Sequence, residues 1–179
     1  TFFGSESPAD YFDNMIHLLI DAPFSGAPAG MQVHAGFSRA YDRVRDLVRN
    51  RVQDHLDAGH TRVIVEGHSS GAAQATICAA DLWYLYESSG IDIFCFPSAS
   101  PRAGNRVFAK ELDRHIECRR YINGDDIFPS LPTEGMGFVH VGTPHRIGNP
   151  PNPLRAGTGL WILDHFITDY AESIDAGLY

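Results

Sequence analysis

Apolar residues recur at three- and four-residue steps from Ser38 to about Ala58, where Val44, Leu47, Val48, Val52 and Leu56 fall on one helical face. Ser38 is a natural N-cap for that long amphipathic helix. After the Gly59-His60 break the pattern changes to a short β-branched run, Thr61–Glu66, which reads as a buried strand. Ala72–Tyr86 is rich in Ala and Leu and predicts a helix; Ile91–Phe96 predicts a second strand. Asn105–Ile116 follows as a helix, Arg119–Asn123 as a short strand, Phe138–Val141 as a further strand and Leu163–Ile174 as a closing helix. Near the start, Tyr11, Phe12, Met15 and Ile16 stand at helical spacing within Asp10–Ile20. The segment Gly142–Thr158 is rich in Pro and Gly and predicts a loop. Strand and helix alternate, which points to an α/β domain with a mostly parallel sheet.

Composition narrows the class. With 179 residues, 44% of them apolar and 20% charged, the chain reads as one globular domain with a real core. No internal repeat or low-complexity tract interrupts it. Fourteen basic residues against twenty-two acidic ones leave a net charge of −8, a poor footprint for nucleic acid. No apolar run approaches the roughly 18 residues of a membrane span. Cys78, Cys95 and Cys118 cannot all pair internally and lack zinc-site spacing, so they read as buried free thiols. Nine histidines are present, but no His/Cys cluster stands on one helix face, and no metal is expected. The chain begins at Thr1 with neither initiator Met nor signal peptide, which suggests a processed, trimmed or fragmentary protein.

The sharpest chemical signal is Gly67-His68-Ser69-Ser70-Gly71, a G-x-S-x-G between a β-branched strand and an Ala-rich helix. Such a strand-to-helix turn is tight enough to demand small neighbours. It lifts the Ser69 hydroxyl above the sheet edge at a helix N-terminus, where backbone N–H groups favour a developing oxyanion. A serine needs a base within hydrogen-bond reach and a carboxylate to orient that base. On this kind of turn the partners follow in the order Ser, Asp, His. Downstream lie His115, His140, His145 and His165, and Asp81, Asp92, Asp113, Asp125 and Asp126. Spacing alone does not choose among them. Asp125 and Asp126 follow a predicted strand end, where catalytic residues sit in open α/β sheets. Asp81 and Asp113 lie within helices and read as solvated faces.

Six segments, taken in order, resemble the class 3 (fungal-type) lipase family along nearly the whole chain. Val33-His34-Ala35-Gly36-Phe37 resembles its V-H-x-G-F, and the elbow resembles G-H-S-L-G with Ser70 in place of Leu. Pro101-Arg102-Ala103-Gly104-Asn105 resembles P-R-V-G-N. The run Tyr121 to Pro132 resembles V-N-x-x-D-I-V-P-x-L-P, and Gly137 to Gly142 resembles G-F-x-H-x-G. Asp164-His165-Phe166 through Tyr170 resembles the terminal D-H-x-x-Y-like segment. The resemblance implies an α/β-hydrolase-like fold, a mostly parallel central sheet flanked by helices, in a single catalytic domain over residues 1–179. It assigns Ser69 as nucleophile, Asp126 as the triad acid and His165 as the base. It also makes His140 a non-catalytic strand residue. His68 is expected to pack, its ring pointing away across the elbow.

The oxyanion hole needs two donors. One is expected from the N–H of Ser70. The family's second donor belongs to an R-G-S/T motif followed by a short lid helix; Phe3-Gly4-Ser5 matches it with Phe3 for Arg, which assigns Ser5. Residues 7–16 then have the spacing of the lid, although their apolar stripe fits core packing equally well. The implied activity is hydrolysis of carboxylic esters of lipids, most simply acylglycerols, without a cofactor. Phospholipid sn-1 acyl groups and aromatic esters of plant-wall sugars are the alternatives within that chemistry. A catalytically idle lipase-like binding module is a second class, opposed by the intact Ser, Asp and His positions. Thr1 as an N-terminal nucleophile is a third, and it would leave the elbow without a purpose. Family resemblance slightly favours secretion. Only Thr1-Phe2-Phe3 precedes Gly4-Ser5, less than a typical strand of about 5–6 residues. An upstream segment or a second chain is therefore expected to complete the sheet.

Overall fold

The computed structural model describes residue 1, residues 18–148 and residues 164–175. Ser5, the candidate lid at 7–16, Phe2 and Phe3 lie outside the described residues, as do most of the Pro-rich segment and Leu163.

Among the described residues, four strands build the main sheet: β3 (Arg62–His68), β4 (Asp92–Ser98), β6 (Glu117–Asn123) and β8 (Thr143–Ile147), in the order β3-β4-β6-β8 and all parallel. In register, Arg62 faces Asp92 and His68 faces Ser98, while Tyr121 faces Ser98 and Asn123 faces Ile147. The carboxyl ends of all four strands therefore share one edge, the edge at which open α/β sheets hold their chemistry. The second sheet is small and antiparallel. It runs β1 (Leu19–Asp21), β2 (Gln32–His34), β5 (Gly104–Asn105), β7 (Phe138–Val139).

Among the described residues, five α-helices accompany the sheets: α1 (Ala35–Asp42), α2 (Arg45–Asp57), α3 (Ser70–Tyr86), α4 (Arg106–His115) and α5 (Ile167–Asp175). α3 is apolar all round and buried along most of its length, as a helix sunk in a core must be. It packs on β3 and β4, and its small residues Ala72, Ala73, Ala75, Ala79 and Ala80 let the strands approach closely.

The structure corrects several sequence expectations. Ser38–Ala58 is two helices, not one, and their break at Arg43 and Val44 has neither Gly nor Pro to signal it. The first helix starts earlier than Ser38, because the His34 side chain, not Ser38, accepts the N–H groups of Gly36 and Phe37; Ser38 is buried inside α1. α1 packs on α3, whereas α2 has no fully buried residue; its Val48, Val52 and Leu56 pack half-buried against the core, while Leu47, expected on the same apolar face, is 72% exposed. Leu19–Asp21 is a strand rather than the end of a helix. The fourth parallel strand, Thr143–Ile147, lies inside the expected loop. Its Thr-Pro-His-Arg composition and mostly exposed positions fit an edge strand, where Pro is tolerated and no hydrophobic run is required. Phe138–Val139 pairs in the antiparallel sheet, not the parallel one. Asp81, expected on a solvated face, is 1% exposed. It takes Arg49 in two hydrogen bonds and the Tyr41 hydroxyl in a third, joining α1, α2 and α3 at one point.

Candidate active site

Ser69 sits between the last residue of β3 and the first of α3, with φ 56° and ψ −129°. A non-glycine residue adopts that conformation only where its surroundings over-determine it. Here its N–H donates to the Ser98 carbonyl (3.0 Å) and its carbonyl accepts the N–H of Ala72 (3.0 Å), so both sides of the turn are held. Gly67 explains the small neighbour the turn requires: a Cβ there would lie 2.4 Å from the Gly71 carbonyl oxygen. The strand can thus enter the helix only through glycine. Ser70 opens α3, where backbone N–H groups lead the helix dipole.

Ser69 Oγ lies 2.8 Å from His165 Nε2. On the other side of the ring, His165 Nδ1 is 3.0 Å from each carboxylate oxygen of Asp126. Asp126 stands three residues past the end of β6, and His165 stands on the turn before α5. The three residues singled out from Ser, Asp and His positions are therefore adjacent in space, in the order a nucleophile, its base and the base's orienter require.

Two further donors fix the Asp126 carboxylate. The Phe128 N–H reaches Oδ1 at 3.0 Å and the Tyr170 hydroxyl donates to Oδ2 at 2.7 Å. Burial and the neighbouring Asp126 charge push the Tyr170 phenol well above its usual range, so it stays a neutral donor. Asp125, the rival acid, does something else: its backbone N–H donates to the Asp164 carboxylate at 2.8 Å. Asn123 Nδ2 donates to the Asp164 carbonyl at 3.2 Å, and together these bonds tie the turn carrying His165 to the end of β6. Tyr170, Phe128, Asp164 and Asn123 were not assigned roles from sequence. All four lie inside the motifs that carry the resemblance, which was the available signal.

The other acids and histidines are placed elsewhere. Asp92 begins β4, at the end of the sheet opposite Ser69, and Asp113 accepts the Gly142 N–H. His115 stacks on Trp83, and His145 lies in β8 beside Tyr121. His140 donates through Nε2 to the Pro129 carbonyl; burial and the Arg120 cation push it down to about 3. That keeps it neutral and uses it to brace the loop after Asp126. Arg102 braces the same loop, donating to the carbonyls of Ser130 and Pro132. The expectation for His68 needs correction in direction. It packs, but its ring lies 5.2 Å from the His165 ring and edge-on to Tyr170, not away across the elbow. Burial and the adjacent His165 push it down to about 4.

Residues 1–136 match the family model described as Lipase (class 3). A lipase from Rhizomucor miehei is 35% identical over 150 residues, which is 81% of this chain and 41% of that one. A secreted mono- and diacylglycerol lipase from Malassezia restricta is 37% identical over 140 residues, covering 75% of this chain and 46% of the relative. Among solved structures, a triacylglycerol lipase described as having a serine-protease triad for its catalytic centre matches with TM-score 0.72 and 31% identity. That match covers 80% of this chain and 54% of the other. A deletion mutant of the Rhizomucor miehei lipase–propeptide complex matches with TM-score 0.73 and 30% identity, over 82% of this chain and 46% of that one. This chain therefore spans about half the length of the relatives it matches. Its parallel sheet, its elbow between β3 and α3 and these matches place it in one family: the chain belongs to the class 3 lipases, with the α/β-hydrolase fold.

Proposed function

We propose that this chain hydrolyses carboxylic esters of lipids, acylglycerols first among them, through an acyl-enzyme on Ser69. The observation that carries the reading is the continuous relay from Ser69 Oγ through His165 to Asp126, at 2.8 and 3.0 Å. His165 Nε2 takes the hydroxyl proton as Ser69 Oγ attacks the acyl carbonyl carbon. Asp126 holds Nδ1–H and supports the positive charge that forms on the ring. The N–H of Ser70, leading α3, faces the developing oxyanion, and Ser5 supplies the second donor. Collapse of the tetrahedral intermediate breaks the ester C–O bond, and His165 returns its proton to the leaving alcohol. Water, deprotonated by the same imidazole, then releases the fatty acid. The names of the relatives favour acylglycerols over phospholipid or aromatic esters. A relative described as secreted supports a site of action outside the cell. Among the described residues, no helix is long and apolar enough to cross a membrane.

Hydrolysis of p-nitrophenyl butyrate and of emulsified mono-, di- and triacylglycerols tests the reading. Ser69→Ala and His165→Ala should each lower kcat by a factor on the order of 10³ or more, with the protein still folded. The double variant should be hardly worse than either single one, because the residues act as a unit. Equal turnover by wild type and Ser69→Ala would sink the assignment.

A further inference from the structure

We infer that Phe128 is a positioning residue for this reaction, its phenyl face supporting the positive charge that His165 acquires. The inference rests on the reading of His165 as the general base. The Phe128 and His165 ring centroids are 3.8 Å apart with the planes 31° from parallel. Phe128 is 1% exposed, so no solvent shell competes at that face. The same residue sends its backbone N–H to Asp126 Oδ1. One residue therefore holds the acid through its main chain and covers the base with its ring. In the family pattern quoted above, D-I-V-P, this position is Val; here it is Phe.

The chemistry follows from the ring quadrupole. An aromatic face is electron-rich and attracts a cation within about 6 Å of its centroid, most strongly where water is excluded. A neutral imidazole gains little from that field, while the imidazolium formed as Ser69 loses its proton gains more. The contact is thus stronger in the transition state than in the ground state, the condition for raising kcat rather than only tightening binding. Around the imidazole stand Asp126 on Nδ1, Ser69 on Nε2, His68 beside the ring, and Tyr170 behind Asp126. His68 and Tyr170 are neutral near pH 7, so of these four groups Asp126 is the one whose charge favours the cation, alongside the phenyl face.

A valine or leucine would fill much of the volume but present no quadrupole. Phe128→Leu should lower kcat for p-nitrophenyl butyrate about 5–30-fold with KM nearly unchanged. The acid limb of its rate–pH profile should move to lower pH by about half a unit or more. The decisive series replaces Phe128 with mono-, di- and trifluorophenylalanine, which keep the shape and drain the π face stepwise. Turnover should fall stepwise with fluorination, and the NMR titration midpoint of the His165 imidazole should fall in parallel. That spectroscopic readout needs no turnover, and the fluorinated proteins keep the test open if Phe128→Leu fails to fold. Flat kcat and a flat titration across the series would overturn the inference. A titration that moves while Ser69→Ala remains as active as wild type would uphold the contact and remove the esterase reading instead.

Discussion

Asp125 and Asp126 are neighbours in sequence and do opposite kinds of work. Asp126 offers both carboxylate oxygens to His165 and receives Tyr170 and the Phe128 N–H as well. Asp125 contributes its backbone N–H to Asp164. Asp126→Ala should therefore cost on the order of 10³–10⁴ in kcat, while Asp125→Ala stays within a fewfold of wild type. The reverse order, measured on the same ester, would shift the acid by one residue. Tyr170→Phe removes one charge-assisted hydrogen bond and leaves the ring in place. About 3–15-fold in kcat is expected, with KM and melting temperature nearly constant. Which of five aspartates serves could not be read from spacing, because a triad is assembled by the fold; only motif order pointed to Asp126. The role of Tyr170 was equally hidden, since a tyrosine five residues after a histidine has many uses until α5 brings its hydroxyl back to the end of β6.

The elbow and the helix caps belong to the scale of elements. Gly67 has no positive φ; what forbids a side chain is space, with the Gly71 carbonyl 2.4 Å from where a Cβ would stand. Gly67→Ala must move the start of α3, and with it Ser69 and Ser70. Loss of melting temperature together with at least a tenfold loss of kcat is expected. A variant as stable and active as wild type would show that the elbow yields more easily than its geometry implies. His34 caps α1 through Nδ1 and stacks on Phe37 at 4.2 Å while fully buried. His34→Ala should cost about 2–4 kcal/mol in chemical denaturation, part cap and part cavity. His34→Asn, which can cap but not stack, should recover some of it. The V-H-x-G-F segment was visible in the sequence, but histidine is not among the usual N-cap residues, so Ser38 looked the better start. The helix break at Arg43 and the strand at Thr143 escaped for a related reason. Neither carries a local signal, and both are decided by what the chain packs against.

At the scale of the molecule, the alternation of strands and helices was legible because a parallel sheet needs β-branched runs separated by helices, as in Arg62–His68 and Ser70–Tyr86. The small antiparallel sheet was not, beyond the strand read at Phe138, because its strands of two and three residues are too short for any periodicity. Acid stability joins residues that the sequence left apart. His68 ends β3 and His140 braces the loop after Asp126, and both are held neutral, at about 4 and about 3. An unfolded chain protonates histidine near pH 6.5. Below that pH the unfolded state binds two protons that the folded state refuses, so stability falls as pH falls. The loss begins near 6.5 and continues until the folded groups titrate, with a slope of up to about 1.4 kcal/mol per pH unit for each ring. Urea denaturation between pH 4.5 and 7 should therefore show stability rising with pH. His140→Gln and His68→Gln should each flatten that rise by up to one ring's share. Above about pH 5.5 nearly all carboxylates are ionised, so the upper part of that range isolates the histidines. If both variants keep the wild-type slope, the two rings accept protons in the folded state after all, and the neutral state assigned to His68 beside His165 falls with them.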